Sequence, residues 1–224
     1  MRARRLSLLV PLTIVLGLLL VAPGSAMAQE EPDDEVVLPS RVANAIKRAE
    51  LSLDKVSQSI AGGEIPKAVV SLNSFRLSLV DADKAARRQM MAAPADEDAE
   101  TTPGPDSVIA VLGLEQTAVT TIADLFNRRT GVIVNSLASG LVAAMSNRDS
   151  LLTSVIKLDP EGAGADYADG MADTVETYDD EVANITEALA DDQLSPVGRS
   201  ALTAALARSK AARSKVTTAF GGGE

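Results

Sequence analysis

Residues 40–91 read SRVANAIKRAELSLDKVSQSIAGGEIPKAVVSLNSFRLSLVDADKAARRQMM, and this stretch decides the fold class. Val42, Ile46, Ala49, Leu53, Val56 and Ile60 recur at spacings of 4, 3, 4, 3 and 4. That alternation puts them on one face of a helix, the spacing of a coiled-coil seam. Ser40 stands where a capping residue is expected, and Gly62-Gly63 supplies the residues that end a helix. A second helix begins near Glu64 and tolerates Pro66 in its first turn, where the missing amide had no intrahelical partner to lose. It runs to about Met91 with the stripe Val69, Leu72, Phe75, Leu79, Ala82 and Ala86. A two-glycine link leaves the two helices little choice but an antiparallel hairpin over 40–91.

Working outward from the hairpin, residues 92–106 (AAPADEDAETTPGPD) carry three prolines, five acids and no bulky apolar side chain, and read as an acidic linker. A helical region covers 107–158. Its first stripe is Ile109, Leu112, Val119, Ile122 and Phe126, and Ile133, Leu137, Leu141, Ala144, Leu151, Val155 and Leu158 continue it in nearly the same phase. One helix of about 78 Å is compatible with that phase. So are two helices, broken at Thr130-Gly131 or at Asn147-Arg148-Asp149. The run Gly131–Met145 (GVIVNSLASGLVAAM) is too short and too interrupted by polar residues for a membrane span and reads as the central buried helix. Within it Ser136, Gly140 and Ala144 leave room for a neighbouring helix to approach.

A second hairpin spans about 166–219. Its first helix carries Met171, Val175, Tyr178, Val182, Ile185 and Leu189. Ser195-Pro196, a cap followed by proline at the first helical position, starts the last helix, and Gly221 begins a Gly-rich tail over 221–224. The expected fold is all-α, a bundle of five or six amphipathic helices built from two hairpins (about 41–91 and 166–219) and a long central helical region over 107–158, with 107–220 forming one helical region after the linker. Thirty-six alanines suit it.

The N-terminus reads as a secretory signal peptide over 1–28: Arg2, Arg4 and Arg5, an uncharged apolar run from Leu6 to Ala22, and a small-x-small site at Ala26-Met27-Ala28. Cleavage is expected between Ala28 and Gln29, by the general secretory route, since Ser7 stands where the twin-arginine motif prefers a bulky apolar residue. An acidic leader over 29–39 follows. The chain is expected to be secreted, in contact with the cell wall, with no membrane span after cleavage.

Composition excludes much chemistry. The 224 residues include no cysteine, histidine or tryptophan, and five other aromatics: Phe75, Phe126, Tyr167, Tyr178 and Phe220. Thiolate and imidazole metal sites, disulfides and histidine-based catalytic triads are therefore ruled out. Cleavage would remove three arginines and no acid, leaving 18 basic against 31 acidic residues, a net of −13. Such a chain repels nucleic acid. Ser209-Lys210 is no catalytic dyad, because neighbours on a helix diverge. No P-loop, dinucleotide fingerprint or nucleophile elbow is present, and an enzyme is not expected.

Residues 159–193 hold twelve acids and no base, whereas 194–224 hold five bases and one acid. Opposite charge is expected to help pair the last two helices. Asp159, Glu161, Asp166 and Asp169, in DPEGAGADYAD, are the candidate ligands for calcium, the one cofactor the sequence suggests. Ala163 and Gly170 occupy the places of the fifth and twelfth ligands of an EF-hand loop, so that particular geometry is excluded.

Ala61, Gly62 and Gly63 at the first turn, with Ala68, Leu72, Asn73 and Phe75 in AVVSLNSF, carry a resemblance. Val56–Phe75, and more loosely 41–88, resembles a small helical-hairpin module appended to secreted bacterial hydrolases, which implies an accessory role without catalytic residues. The whole chain, with 14 arginines to 7 lysines, is similar in style to exported all-helical proteins of high-GC Gram-positive bacteria. The leading expectation is a non-enzymatic exported protein that binds an envelope or secreted partner or acts as a scaffold there. The alternatives are an acidic divalent-cation-binding protein and an accessory component of a secreted hydrolase, and a homo-oligomer is compatible with each.

Overall fold

In the computed structural model the described residues are 38–91, 103–126, 131–158 and 164–221. They form six α-helices: α1 (Ser40–Ala61), α2 (Ile65–Met90), α3 (Pro103–Leu125), α4 (Val132–Ile156), α5 (Ala168–Leu189) and α6 (Pro196–Phe220). A single 3₁₀ turn, Ala165–Tyr167, leads into α5. Among the described residues there is no strand, and the expected all-α bundle is what the chain forms.

The first hairpin closes as its glycines require. Gly63 takes φ 73°, a left-handed conformation that costs a residue with a Cβ. Its amide donates to the Ile60 carbonyl at 3.1 Å, and the Glu64 amide to the Ser59 carbonyl at 2.7 Å. Together they satisfy carbonyls that the end of α1 would otherwise leave open, in a Schellman motif. At the other end of α1 the expected cap is corrected. The helix begins at Ser40 itself, Pro39 is the capping position, and no side chain caps it. The Pro39 carbonyl instead accepts from the amides of Val42 and Ala43 at 2.8 and 3.1 Å.

The central region is two helices, which settles the alternatives left by the sequence. Gly131 precedes α4 with φ 80° and ψ −151°, backbone open in practice to glycine alone. Asn147, Arg148 and Asp149 lie inside α4, so the second candidate break does not exist. The first helix also starts earlier than expected, at Pro103 rather than Ser107. Pro103 and Pro105 read as linker in the sequence, but both fall in the first turn, where proline costs no helical hydrogen bond.

The helices stack in three layers of two. The α1–α2 hairpin packs on α3 and α4, and α5 and α6 pack on the other side, against α3 and α4 respectively. The middle pair is therefore buried from two directions. Along α3, Val108, Val111, Leu112, Leu114, Ala118, Val119, Ile122 and Ala123 are all buried, as is Phe126 in the turn that follows it. By length and composition α3 is the one described helix apolar enough to cross a membrane, and its place between layers accounts for that composition. The most enclosed helix is thus α3, whereas α4, expected in that role, leaves Val132 and Val142 exposed. The close approach expected at Gly140 is present: a Cβ there would lie 3.2 Å from Leu72 of α2 and 3.5 Å from Ile122 of α3.

The expected stripe residues of α1 are all buried, as are Leu72, Phe75, Leu79, Ala82 and Ala86 of α2. Each large apolar side chain so buried contributes about 1.5–3 kcal/mol before entropy is counted. At α6 the Ser195 hydroxyl accepts from the Gly198 amide at 3.1 Å, with Pro196 at the first helical position, as the sequence indicated. Four of the five aromatics are buried, and Tyr167 is one of them, although it lies on no helix stripe. Burial, with the neighbouring Asp166 charge adding to it, pushes its hydroxyl up to about 12.

Candidate functional site: a sealed charged layer

Helices α3 to α6 bury a cluster of charged and polar side chains at one level of their shared core, apart from the singly buried Ser107, Gln116 and Thr174. There Glu115 of α3, Arg148 of α4, Tyr178 and Glu181 of α5, and Ser209 of α6 are all buried. Each polar residue takes a stripe position. Arg148 stands between Ala144 and Leu151, Glu181 between Tyr178 and Ile185, and Ser209 between Ala205 and Ala212, all at spacings of 3 or 4. Glu115 likewise stands between Leu112 and Val119. Helical periodicity, not local polarity, puts them inside.

Arg148 is 0% exposed and Glu181 1%. One guanidinium nitrogen, Nη1, donates to both carboxylate oxygens, at 2.5 Å to Oε1 and 2.8 Å to Oε2. The Ser209 hydroxyl is within reach of Glu181 Oε1 and of the Ala205 carbonyl, 2.9 Å away. Its single proton goes to the carboxylate, the stronger acceptor. The Arg148 guanidinium carbon lies 5.3 Å from the centre of the Tyr178 ring, over its electron-rich face. The Asp149 carboxylate is 3.6 Å from Arg148 Nε, an ion pair without a hydrogen bond. Burial acts to lower the Arg148 pKa, but the Glu181 carboxylate and the other groups around it outweigh burial and raise it.

Glu115 differs from Glu181. Neither of its oxygens has a hydrogen-bond partner among the described residues. Burial, with the Asp83 charge adding to it and Arg148 and Arg87 opposing, holds its carboxyl well above the usual glutamate range. Its surroundings favour the uncharged form. The Tyr178 hydroxyl, also without a partner, is raised by burial too.

Around the layer, arginines fasten α4 to its neighbours. Arg87 of α2 is held by Asp83 at 2.9 Å and donates to Ser154 and Ser150 of α4 at 2.6 and 3.0 Å. From α6, Arg208 donates to Asp149 at 2.9 and 2.8 Å. Chemically the layer is closed: each of its charged groups is buried, and four grooves on the described surface are lined by other residues. A groove of about 400 Å³ between α4 and α6, for instance, is bounded by Thr153, Ile156, Lys157, Ser214, Lys215 and Thr218.

Of the residues singled out from the sequence, Asp159 and Glu161 lie outside the described residues, as do Ala26, Ala28 and Gln29. Asp166 and Asp169 are exposed, on the 3₁₀ turn and the first turn of α5. Among the described residues no three acidic side chains are gathered closely enough to hold a metal ion. Ser209 is buried and Lys210 exposed, the divergence expected of helix neighbours. The expected charge matching of α5 by α6 is present in part. On the surface one ion pair, Arg213–Asp179 at 2.5 Å, joins the two helices, and that hydrogen bond draws the Asp179 carboxyl below its ordinary range. Arg199 instead donates to the Leu189 and Asp191 carbonyls at the end of α5, and Arg208 turns to α4. The layer itself was missed because Arg148 reads as a break and Glu181 as one more acid of an acidic helix. The signal was present as gaps in the stripes at 115, 148, 181 and 209.

No protein-family model, no curated protein and no solved structure matches this chain.

Proposed function

We propose that this protein is an exported, non-enzymatic helical scaffold that acts at the cell envelope by binding a partner protein through its outer surface. The observation that carries the reading is the contrast between inside and outside. Among the described residues the clustered charged groups of the core are enclosed, whereas α2 presents Val70 and Leu77, 65% and 71% exposed, on one outward stripe. Exposed apolar side chains ringed by charge are the usual material of a binding surface. The signal-peptide pattern at 1–28 supports an envelope or extracellular setting. Cross-linking of the exported protein in its own cells, followed by mass spectrometry, tests the reading. A reproducible attached protein is the expected result, and its absence would count against a binding role.

The acids of α5 favour a second reading, in which divalent cations are drawn to its acidic face by charge without a chelating cluster among the described residues. Asp173, Glu176, Asp180 and Glu187 are exposed and have no basic partner among the described residues. Calorimetric titration with calcium decides it: heat that saturates, with a raised melting temperature, supports it, and a flat trace removes it.

A further inference from the structure

We infer that this protein associates with itself head to tail, the acidic outer face of α5 of one copy lying along the basic outer groove between α1 and α2 of the next. The inference goes beyond the envelope role proposed above and does not rest on it.

The groove is basic in an acidic protein. Residues 38–91 carry nine lysines and arginines against five acids, whereas 164–221 carry five against ten. Arg41, Arg48 and Lys55 follow one another on α1 at intervals of seven residues, all exposed. They share the groove with Lys67, Lys84 and Arg88 of α2. Two acids temper the row: Asp81, 3.7 Å from Arg48, and Glu64, 2.7 Å from Lys67. The exposed Val70 and Leu77 stand on the same side of α2, giving the groove an apolar strip.

The opposite layer carries the complement. Asp173, Asp180 and Glu187 follow one another on α5 at the same interval of seven, with Asp169 before them and Glu176 between the first two. All five are exposed and form no ion pair among the described residues. Seven residues advance a helix by about 10.5 Å, so both rows of charge repeat at one spacing and stay in register over two repeats. The carboxylates have no match on α6, as shown above, and the groove has two acids for six bases. Each face is left with charge that the other neutralises, which sets the register and lowers the repulsion between two acidic molecules.

The two faces lie on opposite outer layers of the same molecule. A copy that docks its α5 still offers its own groove, so the contact is heterologous and propagates. Because it is built on exposed charges, the association is weak and strongly dependent on salt.

The test is sedimentation equilibrium of residues 29–224, which contain every described helix, at about 20 mM and about 500 mM salt. The expected result is a mass that rises with concentration past that of a dimer in low salt and returns to the monomer in high salt. R48Q/K55Q and D173N/D180N each remain monomeric, with circular dichroism unchanged. Mixed together, they form a one-to-one pair that grows no further, since one supplies an intact α5 and the other an intact groove. A monomer at every concentration in low salt overturns the inference. So does an assembly that both variants form as readily as the wild type.

Discussion

The guanidinium of Arg148 on α4 holds the carboxylate of Glu181 on α5 through a single nitrogen, at 2.5 and 2.8 Å, and neither side chain reaches solvent. Such a pair contributes little net stability, because removing both ions from water costs about as much as their attraction returns. Its effect is on specificity. A lone charge at that level would be costly, so helices that slipped out of register or exchanged neighbours would forfeit the pairing.

Removing one partner alone should therefore be far worse than removing both. R148M or E181L is expected to destabilise the protein by about 3–5 kcal/mol, on the order of 10 °C in melting temperature. The double variant R148M/E181L should recover most of that loss, since methionine and leucine fill comparable space without charge. Urea unfolding of the three variants measures the coupling. Additive losses would show that the two residues act independently.

Glu115 sets a pH dependence whose sign follows from its raised pKa. Above its ordinary 4.5 the unfolded chain releases this proton, while the folded chain retains it. Stability thus falls as pH rises through the range from the unfolded to the folded pKa, then levels off. E115Q keeps the shape and has no proton to lose. It should flatten this part of the profile and raise stability at neutral pH by roughly 1 kcal/mol or more. Urea midpoints of both proteins between about pH 5 and 8 check this, and parallel profiles would contradict it.

Two local signals have measurable weight. S195A removes the acceptor of the Gly198 amide and should cost about 1 kcal/mol. G63A forces a Cβ into the left-handed region and should cost about 1–2 kcal/mol. Each corresponds to a few degrees in melting temperature. S40A, by contrast, should change little, because the Ser40 hydroxyl caps nothing.

These residues also mark how far the sequence could be read. The stripes of α1 and α2, the Gly62-Gly63 turn and the Ser195-Pro196 start depend on neighbours within four residues, and all were legible. The start of α3 was misplaced because Pro103 and Pro105 look like linker until the helix they begin is known. Tyr167 was unreadable as core because its burial depends on contacts distant in sequence. The charged layer was legible only as gaps. Periodicity shows that 115, 148, 181 and 209 face inward, but which polar residues meet depends on which helices are neighbours, and no spacing within one helix encodes that.

Under the proposed function the protein works through its surface, and the charged layer serves to specify the bundle. Quantitative cross-linking from intact cells, comparing the wild type with R148M/E181L, tests it most directly. The same captured proteins in the same yield are expected from both. Loss of capture by a double variant that still folds would place the function in the buried layer, and no reproducible capture by either would contradict the binding role itself.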